Sequence, residues 1–112
     1  MEILYKKLNV NDILTQKKKI LELFEMLFAE DNKKEEISKG YYDNMYKYCT
    51  DGSAILLGAF YDNILVGFHW GYEINWGGTN RIHSYFIAVN EKFQNMSVGT
   101  KLQKMLEEIA MS

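Results

Sequence analysis

Three apolar runs between Ser53 and Val89 constrain the fold of this chain more than any other part of its sequence. The runs SAILLGAFY, ILVGFHWGYEINW and RIHSYFIAV are rich in β-branched and aromatic residues, which favour strands. The dipeptide Asp62-Asn63 and the segment GGTN at 77–80 separate them and are typical of turns. The sequence therefore predicts an antiparallel meander of three strands.

Other elements precede and follow this meander. Residues 2–8 predict a short strand, and apolar positions at helical spacing predict helices over 13–28 and 35–48. A last helix begins near Val98, with one apolar stripe made by Val98, Leu102, Met105, Leu106 and Ile109. The order β-α-α-β-β-β-α predicts a single α+β domain over residues 1–112, a mostly antiparallel sheet flanked by helices.

Composition excludes several classes of protein. Thirteen basic against fifteen acidic residues give a net charge of -2, so we expect no broad basic field for nucleic acid. The longest apolar run, Ala54–Phe60, is too short to span a bilayer, and the first residues lack the order of a signal peptide. Cys49 is the one cysteine and has no disulfide partner within the chain. We therefore expect a cytoplasmic protein that binds neither membranes nor nucleic acid.

The residues that commonly ligate metals are sparse. Cys49, His69 and His83 do not form a cluster with ligand spacing, so we expect no metal site. A lone cysteine without a partner motif is more often an idle or buried thiol than a nucleophile. We expect Cys49 to be idle.

The segment QNMSVGT, residues 94–100, stands directly before the last helical pattern. A helix N-terminus has unpaired amides and partial positive charge, which suit a phosphate group, and small residues let the backbone approach a ligand closely. Ser97, Gly99 and Thr100 are small. The residues alone leave two interpretations open, a phosphate cradle or a serine that simply caps the helix.

A longer segment, residues 89–102, resembles the acetyl-CoA motif of the GNAT superfamily of N-acetyltransferases. That motif follows a strand ending in valine, as at Val89 here. Gln94 and Gly99 match its first and last positions, and Ser97 takes the place of its middle glycine. The order of elements is also that of the family, and YDNILVGF resembles its second hairpin. The resemblance covers the whole chain and about the first two-thirds of the family domain, before its fifth strand.

The resemblance implies that acetyl-CoA is a co-substrate. It implies that the strand residues Phe86, Ile87, Ala88 and Val89 pair their backbone with the pantetheine arm. It also implies that the pyrophosphate is held by Gln94 and by the backbone amides that follow it, those of Asn95, Met96, Ser97, Val98, Gly99 and Thr100. The implied reaction is direct transfer of acetyl to a primary amine in a ternary complex.

Acid-base candidates lie on the meander. His83 falls where some relatives have a catalytic glutamate, and Glu73 is a second candidate base. Strand alternation predicts one shared face for Arg81, His83, Tyr85, Ile87 and Val89. The other interpretation is that His83 is a half-buried strand residue bonded to a neighbour. Aromatic residues that could shape a pocket for a small-molecule or peptide amine are Trp70, Tyr72 and Trp76.

Two further hypotheses follow from the missing fifth strand. The chain could be a non-catalytic remnant of the family, or an interaction module that uses the open edge of the strand 81–89. An apolar open edge favours pairing with another chain, so we expect a homodimer or a swapped assembly.

Overall fold

A computed structural model describes residues 2–111 of the chain, without the side chains of residues 75, 76, 80 and 111. Four strands and four α-helices follow one another along it. They are β1 (Leu4–Leu8), α1 (Val10–Thr15), α2 (Lys17–Leu27), α3 (Lys34–Thr50), β2 (Ala54–Tyr61), β3 (Ile64–Trp76), β4 (Thr79–Val89) and α4 (Val98–Met111), with a 3-10 helix over Glu91–Met96 between the last two. The predicted α+β fold and its order of elements are confirmed.

The strands form one antiparallel sheet in the order β1-β2-β3-β4. Its two faces carry separate apolar clusters. Phe68, Trp70 and Ala88 pack with α1, α2 and α3 on one face, and Leu57 and Val66 pack with α4 on the other. We call these the three-helix face and the α4 face. A sheet covered by helices on both sides explains why the strand runs are so continuously apolar.

The predicted helix over 13–28 is two helices. Asn9 and Asp12 form a capping box that starts α1 earlier, at Val10. Gln16 then leaves the helical backbone, with φ −94° and ψ 12°, and α2 follows. The hydroxyl of Tyr42 donates to the carbonyl of Ile13 at 3.1 Å, which satisfies a carbonyl near the end of α1.

A β-bulge in β4 overturns the predicted shared face. Trp70 pairs with Phe86 and Gly71 pairs with Ser84, so Tyr85 is an extra residue without a direct cross-strand partner. The alternation of side chains is therefore reset between residues 84 and 86. Ile87 and Val89 lie on the α4 face, whereas His83, opposite Tyr72, lies on the three-helix face.

Close approach of α4 to the sheet depends on two glycines of β3. A Cβ at Gly67 would lie 3.2 Å from the carbonyl oxygen of Ala88 and 3.4 Å from Val98 Cγ1. A Cβ at Gly71 would lie 3.2 Å from Leu106 Cδ1. The missing side chains leave room for the apolar stripe of α4, whose members Val98, Leu102 and Leu106 are buried as the sequence predicts. Of the helices described, none is long and apolar enough to cross a membrane.

Candidate functional site

The N-terminus of α4 presents backbone amides without helical partners. The first bond of its ladder runs from the amide of Lys101 to the carbonyl of Ser97 at 3.0 Å, so the amides of Val98, Gly99 and Thr100 precede the ladder. Ser97 has a left-handed backbone, φ 61° and ψ 21°, directly after the right-handed 3-10 helix ends at Met96. Such a right-handed to left-handed step forms a concave nest of amides that suits an anion.

Gly99 is half-buried at this helix N-terminus. A Cβ built there would meet only Ile87 Cδ1 at 3.7 Å and Val89 Cγ2 at 3.9 Å, which are ordinary contacts. Packing inside the protein therefore does not require a glycine at this position, in contrast with Gly67. The unpaired amides at this end of α4 suit a phosphate-bearing ligand.

Gln94 connects this loop to the end of β4. Its side-chain amide donates to the carbonyl of Val89 at 3.1 Å. The side-chain oxygen of Asn90 accepts from the amide of Lys92 at 3.0 Å and starts the 3-10 helix. The loop residues Gln94, Asn95, Met96 and Thr100 are exposed. The predicted anion-binding residues thus lie together, next to the last residue of β4.

The strand residues predicted to bind the pantetheine arm form the free edge of the described sheet. β4 has β3 on one side and no other described strand on its second side. Ala88 is buried, Phe86 and Val89 are half-buried, and Ile87 is 38% exposed. Outward backbone groups on such an edge are available for hydrogen bonds to an extended ligand.

A cleft of about 560 Å³ lies farther along β4 and contains both candidate bases. It is lined by Tyr48, Ser53, Tyr72, Glu73, Ile74, His83, Ser84 and Tyr85. The strand register pairs His83 with Tyr72 on the three-helix face, and Glu73 with Ile82 on the α4 face. The two candidate bases therefore belong to opposite faces of the sheet. The structure brings them to one cleft but not to one face.

Tyrosine rings form the wall of this cleft. Tyr72 lies edge-on to Tyr48, with ring centroids 5.6 Å apart, and edge-on to Tyr85 at 5.1 Å. Burial raises the pKa of Tyr72, and Tyr85, Tyr48 and Cys49 raise it further. Trp70, in contrast, is buried against Phe24 and Tyr72 and does not line the cleft. The side chain of Trp76 lies outside the described residues.

A hydrogen-bonded pair at the cleft was not predicted from the sequence. His69 is fully buried, and its Nε2 lies 2.6 Å from the Oγ of Ser84, an exposed residue that lines the cleft. Burial lowers the pKa of His69, while the backbone of Leu102 acts in the opposite direction. The two residues are fifteen positions apart and face each other only through the bulged register, which sequence periodicity does not reveal.

Cysteine and metal chemistry find little support in the residues that the structure describes. Burial raises the pKa of the Cys49 thiol to about 11, so the thiol stays protonated at neutral pH, in keeping with an idle residue. Within the described part of the chain, no three histidine, cysteine, aspartate or glutamate side chains are grouped as a metal site would require.

Comparison with known proteins gives one match to a family model and several solved structures of the same fold. Residues 19–112 match the model of the Acetyltransferase (GNAT) family. An aminoglycoside acetyltransferase from an uncultured soil metagenomic sample superposes with a TM-score of 0.79 at 20% identity, over 99% of this chain and 73% of that one. A search of curated proteins finds no significant match.

Two further solved structures have the same fold. The PaiA N-acetyltransferase from Thermoplasma acidophilum, in complex with coenzyme A, gives a TM-score of 0.76 at 21% identity. A ribosomal-protein-alanine N-acetyltransferase from Brucella melitensis biovar Abortus 2308 gives 0.74 at 18% identity. In both cases the match covers 99% of this chain and 73% of the other.

Proposed function

The chain belongs to the GNAT acetyltransferase family, and on this premise we propose that it transfers the acetyl group of acetyl-CoA directly to a primary amine. The observation that carries the proposal is the N-terminus of α4. Unpaired amides and a left-handed Ser97 meet there, beside the open edge of β4. A coenzyme A-bound neighbour of the same fold supports this choice of donor.

In this proposal the amides of residues 95–100 hold the pyrophosphate. Helix N-termini bind phosphates because their amides point outward and their dipole favours negative charge. The side-chain NH2 of Gln94 donates one hydrogen to the carbonyl of Val89, and in this proposal its second hydrogen donates to a phosphate oxygen. The backbone of Phe86, Ile87, Ala88 and Val89 accepts the pantetheine arm along the free edge, which directs the thioester toward the tyrosine-lined cleft.

The amine binds in that cleft, between Tyr48, Tyr72 and Tyr85. An ammonium group is attracted to aromatic ring faces, so these tyrosines favour an amine that arrives with positive charge. Attack on the thioester requires the neutral amine, and a base must therefore remove a proton. We assign that role to His83, which lines the cleft on the three-helix face, with Glu73 as the second candidate.

Binding of acetyl-CoA tests the first half of the proposal. Isothermal titration is expected to show saturable heat for the wild-type chain. Gly99→Leu places a bulky side chain among the unpaired amides of the helix N-terminus and is expected to weaken binding about tenfold or more. Gly40→Leu is the matched control, because Gly40 lies in α3 with nothing within 4 Å of its Cβ position. No heat with wild type at millimolar acetyl-CoA would contradict the proposal.

Turnover separates an active enzyme from a non-catalytic remnant. Thiol release from acetyl-CoA is measured against a panel of primary amines that includes a polyamine, an aminoglycoside and a peptide with a free N-terminus. Release that depends on one class of amine supports the transferase and names its acceptor. Saturable acetyl-CoA binding without release for any amine would identify a remnant that keeps only the cradle.

A further inference from the structure

Ser84 and His69 have the arrangement of a nucleophile and its base. Ser84 Oγ and His69 Nε2 are 2.6 Å apart, and Ser84 is exposed in the cleft while His69 is fully buried behind it. Activated serines are recognised by a hydrogen bond to a base that a third group orients in turn. The backbone of Leu102 influences the pKa of His69, but Nδ1 of the ring is buried without a hydrogen-bond partner among the described residues, so the ring is held by the packing around it rather than by a third polar group.

The surroundings of His69 suit a proton acceptor. The residues opposite it on β2 and β4 are Leu57 and Ile87, and Leu102 faces it from α4. None of these side chains titrates, and no charged group contributes to the pKa of His69, which burial lowers. The ring is therefore neutral at pH 7 and able to accept a proton. The backbone of Leu102 favours the protonated ring that would form.

The position of Ser84 suits an acyl donor bound along β4. Ser84, Ile87 and Val89 lie on the same α4 face, because the bulge resets the alternation between residues 84 and 86. Five residues of strand, roughly 17 Å, separate Val89 beside the phosphate cradle from Ser84. An extended pantetheine arm can span that length, so the thioester end of such a donor reaches the neighbourhood of Ser84.

We propose that Ser84 is a nucleophile activated by His69, so that an acyl donor acetylates Ser84 when no amine is bound. Ser84 Oγ attacks the acyl carbon while its proton moves to His69 Nε2. The bond from the acyl carbon to the leaving group breaks, and the departing thiolate takes the proton from His69. The products are an acetyl ester on Ser84 and a free thiol, and water can later hydrolyse the ester to acetate.

Neighbouring groups offer internal comparisons. Ser53 lines the same cleft, but its hydroxyl lies 2.5 Å from Asp51 Oδ1 rather than beside a histidine. Cys49 has a pKa raised to about 11 by burial and is a poor nucleophile at neutral pH. An acetyl label confined to Ser84 would therefore reflect the His69 pair and not general reactivity of the cleft.

The experiment uses the whole chain and two donors, acetyl-CoA and p-nitrophenyl acetate. Only the experiment with acetyl-CoA rests on the proposed function. After incubation without amine, mass spectrometry of peptides is expected to locate one acetyl group on Ser84, removable by hydroxylamine. Ser84→Ala is expected to abolish the label, and Ser53→Ala, the matched control, to leave it unchanged. His69→Gln is expected to lower the initial rate about 100-fold, which is typical for loss of a base.

A pH profile of the wild-type chain covers the case in which the buried His69→Gln variant does not fold. Labelling by p-nitrophenyl acetate should be constant between pH 7 and 8 and fall only below the usual histidine pKa of 6.5, because burial lowers the pKa of His69. Label on Ser84 from p-nitrophenyl acetate alone supports the inference and counts against acetyl-CoA as donor. The inference is overturned if neither donor labels Ser84. It is also overturned if neither His69→Gln nor a pH below 6.5 lowers the rate of labelling.

Discussion

At the scale of single residues, the bulge in β4 divides the chemistry of the cleft between two neighbours. His83 lies opposite Tyr72 on the three-helix face, and Ser84 is bonded to His69 on the α4 face. Adjacent strand residues point to opposite faces, so the two side chains approach a bound substrate from different sides. This separation makes the two proposed roles independent of each other.

Replacement of His83 tests its role alone. His83→Gln removes the proposed base and is expected to lower kcat for amine acetylation about 100-fold, with the affinity for acetyl-CoA unchanged. Labelling of Ser84 by p-nitrophenyl acetate is expected to stay at the wild-type rate. Glu73→Gln is the matched comparison and should change kcat less than threefold. A large effect of Glu73→Gln with a small one of His83→Gln would assign the base to Glu73 instead.

At the scale of elements, α4 connects the phosphate cradle to the rest of the fold. Its apolar stripe is buried against the sheet, and Gly67 and Gly71 let it approach β3 closely. The position of its N-terminus, and with it the direction of the unpaired amides, therefore depends on residues of another element. Small changes in β3 are therefore expected to alter both the free energy of unfolding and the position of the unpaired amides at the N-terminus of α4.

Alanine at Gly71 tests this contact. Its Cβ would lie 3.0 Å from Ile82 Cγ2 and 3.2 Å from the carbonyl oxygen of His83 and from Leu106 Cδ1. Overpacking of this kind costs about 1–3 kcal/mol of the free energy of unfolding, measured by urea denaturation. Gly40→Ala, in an open position of α3, is expected to stabilise the chain by about 0.5–1 kcal/mol. Equal stability of the two variants would show that the sheet and α4 are not closely coupled.

At the scale of the whole molecule, the sheet has an apolar edge. Tyr85 is 49% exposed and Ile87 38% exposed along β4, which has one neighbouring strand among those described. Edge strands of this character favour pairing with another chain. The expected homodimer or swapped assembly stays a prediction, and so does the interaction module that would use the same edge.

Light scattering of the chain at micromolar concentration tests the assembly. The wild-type chain is expected to be dimeric. Ile87→Lys places a charge on the edge and is expected to give monomers with an unchanged circular dichroism spectrum. Leu14→Lys changes a 51% exposed residue of α1, away from the edge, and should leave the dimer intact. A monomeric wild-type chain would contradict the prediction.

The sequence by itself determined the class of fold, the order of the elements and the family. These follow from local patterns, such as the apolar stripe of α4 and the strand runs after Ser53, because burial of one helix face or of a strand requires a fixed spacing along the chain. The loop from Gln94 to Gly99 was recognisable for the same reason, since all its residues are neighbours in sequence.

Only the tertiary structure decided which side chains meet. The bulge at Tyr85 moved Ser84 to the face of Ile87 and Val89, and thereby brought it to His69. One extra residue in a strand exchanges the two faces for all that follows, and no local pattern records it. The ordinary contacts at Gly99 and the close contacts at Gly71 likewise depend on elements distant in sequence, because only packing distinguishes a glycine that the fold requires from one that it does not.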